Sequence, residues 1–303
     1  MSKKMWMLFV LSLAFIVSVA ASHLNAQTVL TGNWTGSLVD DKSRINLNFE
    51  RHPEKGGGKH SMGHTYDLAD LQGLTRKQAI SGGTVTFRLV REAGTIECEG
   101  SFQIGKGAGT FHFTGNQAFV SAMRSRGFDF ENASSSKNEH IGENRLFTAT
   151  GLNITTALAD DLSSASFGKL DIDDLFKAAI FKIDSNFMRE MKATGFPNLG
   201  MEELVKARIF KIDAKFAGEV TQMSFDKEPF ESLVQMRIFK ISPAFIAEVR
   251  NEGLKNVSIE DMVKLSIFKI DGDYIRKAKA EGVPLEVERL VQRRLGVART
   301  RAL

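Results

Sequence analysis

Four lysines stand at one fixed interval: Lys182, Lys211, Lys240 and Lys269, each 29 residues after the last. Ammonium groups recurring at one structural position form a cationic ladder. If helices carry them about 8–10 Å apart, neighbouring charges lie about one Debye length from each other at physiological salt. Such a ladder suits an acidic protein or an anionic envelope polymer. The structural alternative is a solvated edge, because Asp184, Asp213 and Asp271 follow two residues later and offset the charge. A second candidate is imidazole chemistry. His52, His60 and His64 are half of the six histidines, and the spacing of His60 and His64 would let both ligate one metal ion on a helix. Gly56, Gly57, Gly58 and Gly63 argue against a helix there, so a solvated loop is the competing reading.

Nucleophilic and phosphate chemistry find no foothold. The His-Glu-x-x-His, Gly-x-Ser-x-Gly and Gly-rich Lys-Ser/Thr motifs are absent from the sequence. Ser-x-x-Lys occurs at Ser134/Lys137, Ser166/Lys169, Ser224/Lys227 and Ser266/Lys269, without the Lys-Thr-Gly partner of Ser-Lys acyltransferases. Cys98, the single cysteine, alternates with polar residues and points to an apolar face, so it reads as a small buried hydrophobe. Asp171, Asp173 and Asp174 open a helical stretch, where carboxylates complement the positive end of the dipole. The sequence therefore assigns no catalytic residue and no cofactor.

The lysines belong to a phrase, Ile-Phe-Lys-Ile-Asp/Ser, that begins at Ile180, Ile209, Ile238 and Ile267. A constant period of this size marks stacked supersecondary units. Leu146, Leu175, Leu204, Leu233 and Met262 frame five such units, which fill 146–297 together with a partial terminal unit from Leu290 to Val297; each full unit reads as two short helices. Thr155, Asp184, Asp213, Ser242 and Asp271 are N-caps of the second helices. Pro243 fits the first helical position, and Gly195, Gly253 and Gly282 fit a left-handed C-cap. The third unit has Ser224 at the glycine position, so a less regular helix end is expected there. The apolar members of the phrase, with Phe181, Phe210, Phe239 and Phe268, read as packing between units. A half-repeat helix is expected at 116–128, because Asn116 to Phe128 matches Asn186 onward without a gap. A polar linker over 129–145 then interrupts the array, and 298–303 form a basic tail.

Upstream, 28–115 shows a period of two. Trp34 and Leu38; Ile45, Leu47 and Phe49; Val85, Phe87 and Leu89; Ile96, Cys98 and Phe102; and Phe111 and Phe113 each alternate with polar residues. Five segments with one hidden face predict antiparallel strands around one core. Hairpin turns are expected at Arg91–Gly94 and Gly105–Gly109, and a long loop over 52–83. Asp67 to Leu74 within it reads as a short helical turn closed by Gly73. The predicted fold class is α+β: an N-terminal antiparallel sheet or small barrel-like domain, then a solenoid-like helical array.

Residues 1–26 read as an export signal, with Lys3 and Lys4 before the apolar run Met5–Ala21 and a small-residue exit at Ala20-Ala21-Ser22 or Leu24-Asn25-Ala26. An uncleaved anchor is the alternative. No second run is long enough to span a bilayer. Loss of Lys3 and Lys4 lowers the net charge from +4 to +2, which argues against nucleic acid. One cysteine cannot make an internal disulfide, so stability outside the cytoplasm must come from packing.

Arg91–Ile96 with Glu99–Phe102 and Gly107–Phe113 resemble a β-module of exported bacterial proteins. Leu233–Phe239 and Pro243–Arg250 resemble tandem repeats found beside that module, and in the extracytoplasmic part of zinc-metallopeptidase sensor-transducers of the β-lactam-resistance type. The resemblance spans Gly32 to about Val297. It implies architecture and an envelope address. It implies no peptidase activity, since the zinc motif and membrane helices of those sensors are absent here. The expected function is a non-catalytic, exported helical-repeat scaffold for protein or envelope-polymer binding. The alternatives are a metal-dependent sensor or enzyme using the histidine loop, and a small-ligand-binding barrel.

Overall fold

Alternation of apolar and polar residues is what builds the N-terminal half. A computed structural model describes residues 30–39, 43–51, 60–131, 141–196, 199–225 and 229–296. The expected export signal at 1–26, His52, Gly56–Gly58 and the basic tail 298–303 lie outside these residues. Seven strands follow in order: β1 (Leu30–Leu38), β2 (Arg44–Arg51), β3 (His60–Asp67), β4 (Leu71–Gln72), β5 (Gly83–Arg91), β6 (Gly94–Gln103) and β7 (Lys106–Gly115). They form one antiparallel sheet in the order β3-β2-β1-β7-β6-β5-β4, curled into a half-barrel. The concave face carries the expected residues: Trp34, Ile45, Leu47, Phe49, Val85, Phe87, Leu89, Ile96, Cys98, Phe102, Phe111 and Phe113 are all buried.

The stretch 52–83 is less of a loop than its glycines suggest. Its described part holds β3, a 3-10 turn (Leu68–Asp70), β4 and helix α1 (Arg76–Ser81). Thr75 caps α1 through a reciprocal capping box with Gln78, and Ala79 is fully buried. β3 carries Met62, His64 and Tyr66 on one side, but two of the three are polar, which hides the strand from a hydrophobicity pattern. The second hairpin also differs. Its turn is Ile104–Gly105, with φ of 50° and 77°, a mirror-image turn matched to strand twist. Gly107 and Gly109 instead lie inside β7. A Cβ on Gly109 would stand 1.9 Å from the Glu99 carbonyl, and one on Gly100 2.2 Å from that of Ala108. These glycines let adjacent backbones close on each other where the sheet curls.

The helices fall into two layers. Second helices are α2 (Gln117–Arg124), α4 (Thr156–Ser164), α6 (Ser185–Lys192), α8 (Ala214–Val220), α10 (Pro243–Asn251) and α12 (Gly272–Ala280). First helices are α3 (Ile141–Leu152), α5 (Ile172–Phe181), α7 (Met201–Phe210), α9 (Phe230–Ile238), α11 (Ile259–Ile267) and α13 (Val287–Arg294). Helices of 7–12 residues are marginal alone and depend on stacking. The frame residues Leu146, Leu175, Leu204, Leu233 and Met262 are at most 5% exposed. α2 stacks on α4 as a half-repeat. Each expected N-cap accepts from the third helical N–H, at 2.7 Å for Asp213 and 3.1 Å for Thr155 and Ser242. Gly195, Gly253 and Gly282 adopt positive φ. At the Ser224 position the helix ends in a π-turn over Thr221–Phe225.

The linker expected over 129–145 ends early, because α3 begins at Ile141. This first helix of the array fills the concave face of the sheet. Phe147 stacks on Phe111 at 5.3 Å and meets Phe49 and Phe113 edge-on. Sheet and array therefore share one hydrophobic core.

Candidate interaction surface along the array

Each first helix from α5 to α11 ends on one of the four lysines, and all four are left-handed. Their φ values are 56°, 55°, 56° and 52° for Lys182, Lys211, Lys240 and Lys269. This conformation costs an L-residue about 1–2 kcal/mol and usually falls to glycine. The geometry is a Schellman closure: the N–H of Ile183, Ile212, Ile241 and Ile270 donates back to the carbonyl five residues earlier, at 2.8–2.9 Å. The chain is thereby folded under, and these four isoleucines are at most 1% exposed.

The other isoleucine of the phrase has the opposite fate. Ile180, Ile209, Ile238 and Ile267 are 53, 52, 51 and 52% exposed. Both isoleucines of the phrase are expected in the packing; only the second belongs there. The signal that separates them is phase. Ile180 is five residues beyond the fully buried Leu175, about 140° round from it on a 3.6-residue helix. The phenylalanines between them are half-buried against the core, as expected.

An unpaired charge runs beside this apolar column. Among the described residues, no carboxylate comes within ion-pair distance of the four ammonium groups. Asp184, Asp213 and Asp271 hold the N–H groups of Phe187, Phe216 and Tyr274 at 2.7–2.9 Å. One turn back the surface is different: Lys177 pairs with Glu202 and Lys206 with Glu231, both at 2.5 Å across units. Ile and Lys are repeated without change in all four units, whereas the exposed residue two after the cap is Asn186, Lys215, Ala244 or Asp273.

The units are locked behind this edge. Arg208 donates to the Lys182 carbonyl at 2.7 Å and lies over the Phe187 ring at 3.8 Å. Arg237 repeats the stacking on Phe216, and Ser266 donates to the Phe239 carbonyl at 2.5 Å. In the second-helix layer, Asp161 accepts from the backbone N–H and Oγ of Ser185 at 2.8 and 2.6 Å, and Glu248 accepts from the Gly272 N–H at 2.9 Å. Glu92, in the β5–β6 turn, does the same for Thr156 at 2.9 and 3.0 Å. The 24-residue offset of Asp161 from Ser185 and of Glu248 from Gly272 is present in the sequence but has no meaning until the layers are known.

The first unit departs at both edge positions. Gly151 stands where Ile180 recurs, and Asn153, also left-handed with φ of 56°, stands where Lys182 recurs. There β3 covers the array: a Cβ on Gly151 would lie 2.5 Å from the end of the Met62 side chain and 3.3 Å from the Tyr66 hydroxyl. His64 lies between them in β3, and its pKa is lowered by burial and by the charge of Lys182.

The histidine pair does not keep its helical premise. His60 opens β3, so its Cα and that of His64 are about 13 Å apart, against about 6 Å on a helix. Among the described residues no three His, Cys, Asp or Glu side chains converge on a point that could hold an ion. Cys98 is buried and its thiol pKa is pushed up by desolvation, the reverse of an activated nucleophile. The interior of the half-barrel is filled by Trp34, Phe87, Phe102 and Phe147. Shallow depressions lie on its outer face, one of them lined by Thr35, Asn46, Asn48 and Lys106.

No protein-family model, curated protein or solved structure matches the chain. The resemblance drawn from Arg91–Phe113 and Leu233–Arg250 accordingly rests on those motifs alone.

Proposed function

We propose that the chain is an exported, non-catalytic scaffold of the bacterial envelope, and that its helical array binds a protein or an anionic envelope polymer along the Ile–Lys edge. One observation carries this reading. Four isoleucines, each about half exposed, and four unpaired left-handed lysines recur at one place in successive units. Burying isoleucine is worth about 1.5–3 kcal/mol per side chain, and left-handed lysine is disfavoured locally. A fold that leaves the first undone and keeps the second, four times over, is holding a surface for something else. Among the described residues no helix is long and apolar enough to cross a membrane.

The test has two arms. Deleting residues 1–26 should leave the chain in the cytoplasm, while the full chain reaches the envelope. Envelope extract should then be cross-linked to the wild type and to a variant with Ile180, Ile209, Ile238 and Ile267 changed to serine. A component retained by the wild type and lost from a normally folded variant supports the scaffold. Equal retention by both, or none by either, overturns it.

A further inference from the structure

We infer that the occupant of the Ile–Lys edge is an extended acidic polypeptide segment lying across the units, with a carboxylate and an apolar side chain recurring every third residue. This rests on the scaffold reading and commits it to one ligand chemistry.

Three observations converge. The first is an occupant already in place. In unit one, the extended strand β3 crosses the edge and sets Met62 against Gly151, where later units present isoleucine. Where Met62 covers the isoleucine position the residue is glycine, beside an exposed asparagine at the lysine position; where the isoleucine position is open, isoleucine and lysine return. In unit one the edge thus takes extended backbone with an apolar side chain directed at it.

The second is spacing. Stacked helices repeat about every 8–10 Å. An extended segment in the polyproline conformation rises about 3.1 Å per residue with three residues per turn, so every third side chain returns to the same side after about 9.3 Å. A β-strand returns a side chain to one face every two residues, about 6.7 Å, and falls out of step over four units. β3 sets Met62 on a single position of the edge, Gly151, and has no register to keep. Four units need about ten residues of ligand at three per step.

The third is charge. The four ammonium groups have no carboxylate within ion-pair distance among the described residues, so a ligand carboxylate on each step meets an unpaired cation. The basic stretch with Arg299 and Arg301 carries the wrong charge for this edge. The proposed occupant is a segment of another molecule.

A twelve-residue peptide, (Glu-Leu-Pro)4, should bind the full chain in a fluorescence-anisotropy titration at low salt. Changing Lys182, Lys211, Lys240 and Lys269 together to glutamine should weaken it by about 10-fold or more, as should the four Ile→Ser changes, if each exposed contact contributes its usual modest share. A peptide of the same composition in scrambled order should bind at least about 10-fold more weakly. Equal affinity for the scrambled peptide would overturn the register. Stronger binding to vesicles of anionic phospholipid than to the peptide would replace polypeptide by membrane. Concentration-dependent self-association that the Ile→Ser changes abolish would replace it by a second copy. If the peptide fails while edge-dependent capture from envelope extract persists, this ligand is wrong and the scaffold stands; if capture too is independent of the edge, both fall.

Discussion

Gly151 and Ile180 occupy the same position in successive units, and only the first is covered: the end of Met62 lies where a Cβ on Gly151 would stand, whereas Ile180 is 53% exposed. The β-domain is thus the cap that a repeat array needs at its end. It meets the first unit in both layers, through β3 at Gly151 and through Glu92 at the start of α4. Glu92 does for Thr156 what Asp161 does for Ser185 one unit later, so the sheet presents itself to the array as if it were the preceding unit.

Gly151→Ile should therefore be costly where isoleucine is otherwise the rule. The added side chain has to displace Met62 and Tyr66, and overpacking of this kind costs about 1–3 kcal/mol. Met62→Ala should recover part of the loss, with a coupling of about 1 kcal/mol in a double-mutant cycle read from urea denaturation. Ile180→Gly, on the open edge, should cost only about 1 kcal/mol, the helix propensity of glycine. Additive effects of Gly151→Ile and Met62→Ala would mean that β3 does not hold this position.

The left-handed lysines should trade stability for binding. Lys240→Gly removes the steric cost of positive φ while keeping the Schellman closure, so the midpoint of denaturation should rise by an amount worth about 1 kcal/mol. The same substitution at Lys211 or Lys269 should act alike, since φ differs by no more than 4° among them. Lys240→Ala keeps a Cβ at φ of 56° and should gain nothing. A fall in stability for all three glycine variants would show that the ammonium groups support the helix ends and would leave them no separate role.

How much of this could be read in advance depended on whether a residue's meaning was local. Caps such as Asp184 and Ser242 are local chemistry, and each lies where its residue type placed it. The π-turn at Thr221–Phe225 was legible as a missing glycine. β3 was not, because His60, Ser61, His64 and Thr65 dilute its alternation, and its register comes from pairing with β2. The role of Gly107 and Gly109 was hidden for a related reason: a glycine required by a neighbouring strand looks like a turn glycine in sequence. The exposed isoleucines needed the helix phase, which the frame residues supply only once the helix ends are known. β3 and the β7 glycines depend instead on contacts far away along the chain.

Gly109 gives a sharp contrast with a glycine that nothing requires. Gly109→Ala would drive its methyl into the Glu99 carbonyl, a backbone group that cannot rotate aside, and should cost about 3 kcal/mol. Gly218, inside α8, has no heavy atom within 4 Å of a Cβ built there. Gly218→Ala should instead stabilise by about 0.5–1 kcal/mol through helix propensity. Thermal unfolding of the two single variants against the wild type checks both signs, and a tolerated Gly109→Ala would mean that β6 and β7 do not close as tightly as described.

Acid should weaken the second-helix layer at a definable place. The carboxyl of Asp161 lies below its usual range chiefly because Ser185 donates to it from both Oγ and backbone N–H. A carboxyl lowered in the folded state adds stability that is fully present above the unfolded value of about 3.9 and is lost as pH falls through the lower folded value. Asp161→Asn keeps an acceptor but loses the charge. It should therefore be less stable than the wild type at pH 7 and converge with it as pH falls through the lowered folded value. Asp161→Ala leaves Ser185, only 2% exposed, with two unpaired donors, and should cost about 1–3 kcal/mol, with much of that deficit surviving in acid. Denaturant titrations of the three proteins between neutral and acid pH separate the cases. A constant offset between Asp161→Asn and the wild type across that range would show that the charge contributes nothing, and that the bridge between α4 and α6 is a neutral hydrogen bond.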